Sequence, residues 1–414
     1  MRQIADFHIH SKYSRACSRD LNLENIDKTC RVKGVDIVAT GDYTYPAWLE
    51  AIKNELTETK KDSGLYRHKS SSDDKIKFIL STEFALIYKK NDRCRRIHIM
   101  VLAPNISAAE KLFQSLDKNF NVRSDGRPIL GMSAEKLVEL CLSIHPDFLI
   151  YPAHIWTPWF SVFGSKSGFD SMEECFGKYT DKIYAYETGL SSDPEMNWRL
   201  SALDKLTLLS SSDAHSLPNI AREATVFDLE KFTYHEIFES IKKKDINKIK
   251  YTIEFYPEEG MYHYDGHRDC GICFSPAETK KKKGICPKCG RSLTVGVDYR
   301  VNELADRPVG FKPENAPGFI KLVELDKIIA EALNVKSRSS KKVKLEYDRI
   351  IKNGTEMEVL MDMNFEKLKK ITMSKVAQGI ERVRNGKLKV SPGFDGQYGA
   401  VKIFSYKERQ DKLF

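Results

Sequence analysis

Through the first 250 residues, short apolar runs alternate with longer segments of helical period. The runs 3–9, 35–40, 77–82, 96–102, 148–153, 183–186 and 206–210 predict strands. Residues 22–33, 133–143 and 233–243 carry apolar positions every three or four residues and predict helices. Strand–helix alternation at this spacing predicts an α/β parallel sheet or barrel. The polar tract 56–76 predicts a surface insertion, and 155–177, rich in aromatics and glycine, a long loop over the barrel mouth. Residues 318–333 and 357–384 carry helical spacings, so the stretch 318–414 is expected to be mostly helical. Residues 390–404 predict two short strands around a glycine-rich turn.

The predicted strands end in chemistry. His8 and His10 close the first, and the second and third run into Asp42 and Glu83. His98 lies in the fourth, and His154 and Glu187 close the fifth and sixth. Asp213 and His215 follow the seventh. Polar, metal-capable residues at strand C-termini are how an α/β barrel builds an active site. His-x-His on an extended strand places both imidazoles on one face, and a carboxylate such as Glu83 can bridge to a second ion. Two divalent ions about 3.5–4 Å apart clamp a phosphate and generate a nucleophile at neutral pH. His68, His145, His235, His263 and His267 are expected to be structural or exposed.

Charge separates the chain into two parts. The first 250 residues hold 36 basic and 35 acidic side chains, and the other 164 hold 31 and 23. The second part therefore carries +8 of the net +9, which favours a polyanionic partner. Cys270, Cys273, Cys286 and Cys289 form two C-x-x-C pairs spaced as a structural zinc site, with Lys280–Lys283 expected at the tip of a hairpin between them. No apolar run reaches the length of a membrane span, and the start MRQIADFHIH lacks a secretory core, so a cytoplasmic protein with reduced thiols is expected.

DFHIHSKYS, ATGDY, STEF, RRIHIMVL, YPAHI, YETGLSSDP and SSSDAHS, in this order, resemble the polymerase and histidinol phosphatase (PHP) family. That resemblance implies a distorted (β/α)7 barrel with a metal cluster at its mouth. One metal would take His8, His10, Glu83 and Asp213, and a second would share Glu83 and take His98 and His154. Asp42 and His215 belong to a third family site, which also uses a histidine where this chain has Tyr43. Two catalytic ions (Zn, Mn or Mg) are therefore expected, with Asp42 and His215 nearby or as weak ligands.

The order of parts resembles the endonuclease Q family: a PHP catalytic barrel over 1–255, a four-cysteine zinc module over 256–310 and a helical basic DNA-binding part over 311–414 that ends in PGFDGQYG. The resemblance implies a DNA repair endonuclease. It would cut double-stranded DNA on the 5′ side of hypoxanthine, uracil, xanthine or an abasic site, and a sliding clamp is a further partner to consider. Asp213, Glu83 and Arg222 are the expected catalytic residues. Ser14, Arg15, Trp156, Trp159 and Phe160 are candidates for contacting an unstacked base. A small-molecule phosphoesterase would leave the zinc module and basic part without a task. A non-catalytic DNA-binding protein would not need so complete a ligand set.

Overall fold

The computed structural model describes residues 2–405 and 408. The end of the region expected to be helical, 406–407 and 409–414, lies outside the described residues. Seven strands form the barrel wall: Arg2–Asp6, Ile37–Ala39, Lys77–Ile79, Arg93–Leu102, Leu149–Pro152, Ala185–Glu187 and Thr207–Leu209. The first three pair in parallel, as do the last two (Tyr186 opposite Leu208). Ser81–Lys90 runs on from the third strand and pairs antiparallel with Arg93–Leu102, which pairs antiparallel with Leu149–Pro152.

The ring closes unevenly, and this distorts it. The first strand pairs antiparallel with Ala224–Asp228 along Arg2–Ala5 (Ala5 opposite Thr225). Beyond its end the chain meets the seventh strand's extension, through a parallel bridge between Ile9 and Ala214. The architecture is a distorted (β/α)7 barrel followed by a zinc-ribbon-like module and a mostly helical C-terminal part. Its wall residues Ile4, Phe7, Ile37, Val38, Phe78, Ile99, Val101, Leu149 and Leu209 are all buried.

Three expectations give way. Residues 56–76 are no mere insertion: Leu56–Glu58 and Tyr66–His68 form a hairpin at the edge of the eight-stranded sheet, seated by buried Leu65 and Tyr66. Residues 318–333 divide into a strand, Gly318–Lys321, and a helix, Leu325–Ala332. The strand pairs in parallel with Ile249–Glu254, so the chain beyond 310 returns to the barrel's own sheet. Residues 357–384 hold three helical segments, Glu358–Asp362, Phe365–Ile371 and Ser374–Arg384, and Asn364 starts the second by accepting from Lys367 N. The stretch 390–404 contains the hairpin Lys389–Ser391 and Ala400–Lys402.

Between the cysteine pairs the chain forms a short helix, Pro276–Lys281, with Lys280–Lys283 exposed at its end, rather than a hairpin tip. The donor atoms of His267, Cys270, Cys286 and Cys289 all lie within 4.8 Å of one another, a set suited to tetrahedral zinc. Cys273 is not in this group, and His267 takes the place expected for it. The cause is strand alternation. His267 pairs with Ile272, and Cys273 pairs with Gly266, so Cys273 points to the face opposite His267.

Candidate metal centre

The barrel's C-terminal rim gathers two groups that share one carboxylate: His8, His10, Glu83 and Asp213, and Glu83, His98 and His154. Glu83 Oε2 lies 3.4 Å from His10 Nε2 and 3.6 Å from His8 Nε2. Its Oε1 lies 2.8 Å from His98 Nδ1 and 3.2 Å from His154 Nε2. Asp213 Oδ1 lies 3.1 Å from His10 Nε2 and 3.5 Å from His8 Nε2. Of these, Asp213 is the most exposed, at 24%, and faces the mouth.

Residues behind the rings fix which nitrogens face inward. His8 Nδ1 lies 3.0 Å from Glu187 Oε1, and His10 Nδ1 lies 3.1 Å from Asp42 Oδ1. A carboxylate accepts, so each Nδ1 carries the hydrogen and each Nε2 turns a lone pair toward Glu83 and Asp213. His8 Nε2 is buried without a hydrogen-bond partner. Lone pairs facing carboxylates at these distances require a cation between them, either protons or a metal. The set of imidazoles and carboxylates fits a divalent transition metal.

The titration of the residues agrees. Burial pulls His8 and His10 down, but Glu187, Glu83 and Asp213 around His8, and Asp42 and Asp213 beside His10, outweigh it and hold both well above the usual imidazole range. Glu83 is held well below the carboxylate range, because His98, Arg127 and His8 overcome the cost of its burial. Burial pushes His98 down to about 4, leaving it a neutral donor.

Local backbone geometry delivers these groups. His154, Asp42 and Asp213 have φ of 29°, 48° and 46°, left-handed values that turn the chain sharply at strand ends. Gly189 lies against His154, and a side chain there would collide with the His154 Cβ. Asp6 secures the loop that carries Asp213: its Oδ1 accepts from Ser212 N at 3.0 Å and its Oδ2 from Ala221 N at 2.8 Å.

The remaining candidates are not members of the two ligand groups. Asp42 lies behind His10, its Oδ2 accepting from Ser11 N at 2.6 Å and from Ser14 Oγ at 2.8 Å. It orients His10, and Ser14 is a buried support for Asp42 rather than a wall open to a base. His215 sits at the mouth with its ring 4.6 Å from that of His10 and its Nδ1 2.9 Å from Asp213 O. Tyr43 is buried in the core. Arg222 donates from Nε to Ser212 O at 3.0 Å and so clamps the loop backbone. Arg15 is 88% exposed. Trp156 is 1% exposed, donates to Asn197 Oδ1 at 2.8 Å and packs on Phe163, so it belongs to the core. Trp159 is 39% exposed and meets Tyr262 edge-on, and Phe160 packs against His98.

Two residues enter that the sequence did not assign. Glu187 orients His8 and also accepts from His154 N at 3.2 Å, tying the two groups together. Arg127 donates from Nη1 to Glu83 Oε2 at 3.0 Å. The strand-end position of Glu187 was a usable signal, whereas Arg127 lies in a loop without periodicity.

Comparison with known proteins adds the following. The family model described as the MJ0043 C-terminal domain matches residues 324–387. The uncharacterized protein MJ0043 of Methanocaldococcus jannaschii is 35% identical over 251 residues, covering 59% of this chain and 31% of that protein. This chain thus spans less than a third of that relative. The uncharacterized protein YqxK of Bacillus subtilis is 28% identical over 414 residues, 96% of this chain and 98% of that one. A crystal structure of endonuclease Q bound to a 27-mer duplex substrate with an abasic lesion at the active site has a TM-score of 0.85 and 31% identity, covering 100% of this chain and 99% of that one. The lesion-specific endonuclease PfuEndoQ of Pyrococcus furiosus superimposes with a TM-score of 0.86. It is 31% identical and covers 100% of this chain, which in turn covers 98% of it, so the fold is shared over the whole length and the chain belongs to the endonuclease Q family.

Proposed function

We propose that this protein is a metal-dependent DNA repair endonuclease. It hydrolyses the phosphodiester on the 5′ side of deaminated bases (hypoxanthine, uracil, xanthine) or abasic sites. The observation that carries this reading is the full-length similarity to an endonuclease Q whose duplex substrate has its abasic lesion at the active site. The inward-facing lone pairs of His8 and His10 supply the local support.

Two divalent cations, bound by His8, His10, Glu83 and Asp213 and by Glu83, His98 and His154, would supply the Lewis acidity that a phosphodiester needs at neutral pH. Glu187 and Asp42 hold the Nδ1 protons of His8 and His10 and so keep each Nε2 free. A zinc ion on His267, Cys270, Cys286 and Cys289 would brace the module next to the barrel. The basic C-terminal part would take the DNA backbone, and Arg15 and Trp159 are the candidates left exposed to meet an unstacked base.

Labelled duplexes carrying one deoxyinosine, deoxyuridine or abasic site, incubated with Mg²⁺, Mn²⁺ or Zn²⁺, test the proposal. A nick mapped to the 5′ side of the lesion is expected, with undamaged duplex left intact. Asp213→Ala should abolish cutting while largely sparing DNA binding. Release of phosphate from phosphomonoesters without any nick would replace this reading with a small-molecule phosphoesterase.

A further inference from the structure

A strap, residues 124–128, crosses the rim of the metal centre. Asp125 Oδ1 accepts from Arg15 N at 3.2 Å and Arg127 N at 3.1 Å. Gly126 N donates to Tyr13 O at 3.1 Å. A Cβ on Gly126 would lie 2.5 Å from Asp42 Oδ2 and Ser14 Oγ, so only glycine lets the strap lie this flat. On the far side, Pro128 O accepts from Ala85 N at 3.1 Å, and Ile129 and Leu130 pair with Ala85 and Leu86. Arg127 is thereby tethered at both ends.

Its guanidinium is placed against expectation for a metal site. Nη1 donates to Glu83 Oε2, the carboxylate shared by both ligand groups. The side chain is 26% exposed, and among the described residues Nε and Nη2 have no hydrogen-bond partner. It lines a cavity of about 420 Å³ together with Arg15, His98, Asn121, Asp125 and Phe160. A fixed positive charge beside a centre that gathers cations opposes their loading unless an anion also binds there. The other arginines nearby do not meet this need: Arg222 is engaged with loop carbonyls, and Arg15, at the rim of the same cavity, is 88% exposed and does not reach Glu83.

We propose that Arg127 is a catalytic residue of the nuclease reaction, and this rests on the reading under Proposed function. Its free Nε and Nη2 hydrogens take a non-bridging oxygen of the scissile phosphate as negative charge builds there, while Nη1 keeps Glu83 in place. In the hydrolysis a water oxygen bonds to phosphorus and gives up one proton, the bond from phosphorus to the 3′ oxygen breaks, and that oxygen leaves with a proton that balances the one the water lost. Arg127 keeps its own protons throughout.

Arg127→Ala and Arg127→Lys in the full chain, assayed in single turnover on a duplex with one abasic site, provide the test. The alanine variant should cut about 10²–10³-fold more slowly, with metal content not reduced, the thermal midpoint unchanged and DNA affinity within about threefold. Lysine should recover part of the rate, and added guanidinium should raise the alanine variant's rate at least about tenfold. Cutting by Arg127→Ala at close to the wild-type rate, while Asp213→Ala is inactive, overturns this inference alone. Loss of metal in step with loss of cutting, without guanidinium rescue, also overturns it and makes Arg127 a positioning residue for Glu83. Failure of the wild-type protein to nick any lesion duplex overturns both this inference and the function it rests on.

Discussion

His8 and His10 each face two carboxylates with a lone pair that only a cation can satisfy. In the metal-free protein that cation is a proton, since both imidazoles are held well above 6.5. Metal uptake must therefore displace protons at neutral pH, and affinity should rise with pH. Calorimetric titration of chelated protein with Mn²⁺ or Zn²⁺, in two buffers of different ionisation enthalpy, should show proton release at pH 7. Equal heats in both buffers would mean that the rings are already neutral. The same shift has a stability consequence. The contribution from the raised imidazoles is fully present below about 6.5 and is lost as pH climbs through their folded values. The melting temperature of chelated protein should thus fall above neutrality, and bound metal should suppress the fall.

At this scale the sequence was readable where chemistry coincides with periodicity. His8, His10, His98 and His154 lie in or beside strands, and period-two alternation predicts their convergence. Arg127 was not readable, because its position depends on one loop glycine and one aspartate hydrogen-bond pair rather than on any repeat. The burial of Ser14 and Trp156 was not readable, because polarity and aromaticity do not disclose it.

The zinc module shows how one element can redirect a motif. The C-x-x-C spacing promised Cys273 as a ligand, yet pairing of Asp265–His267 with Ile272–Phe274 turns it away and brings in His267. His267→Ala should therefore lower zinc content and loosen the module, whereas Cys273→Ser should keep one zinc per chain at that site. Zinc analysis of the two variants, after removal of loosely bound metal, decides the matter. Loss of zinc from Cys273→Ser would restore the four-cysteine set. Elsewhere the element reading failed for equally local reasons. The run 318–333 has helical spacing throughout, but its first residues find an open sheet edge beside Ile249–Glu254, and backbone pairing overrides periodicity. The run 357–384 looked continuous, but the Asn364 cap starts a new helix within it.

The expected division into barrel, zinc module and DNA-binding tail understates how far the parts interlock. Gly318–Lys321 completes one edge of the barrel sheet, and Arg300 from the helix Val297–Leu304 donates to Phe163 O and Phe169 O in the loop over the barrel mouth. Lys33, at the end of the barrel helix Leu23–Lys33, meets Glu356 of the C-terminal part at 3.1 Å, with only 5% and 3% of the two side chains exposed. Deleting the C-terminal part to test DNA binding would therefore also strip a barrel strand and leave Lys33 without its counter-charge. Point substitutions are the sound approach. Lys33→Ala leaves Glu356 buried with hydrogen bonds from Leu325 N and Tyr347 Oη but no cation. Breaking one side of such a pair costs about 3–5 kcal/mol. Denaturant unfolding of Lys33→Ala should show a loss of that order, and adding Glu356→Gln should return part of it by removing the unpaired charge. A loss below about 1 kcal/mol, the range of exposed pairs, would mean that the barrel and the helical part do not depend on each other through this contact.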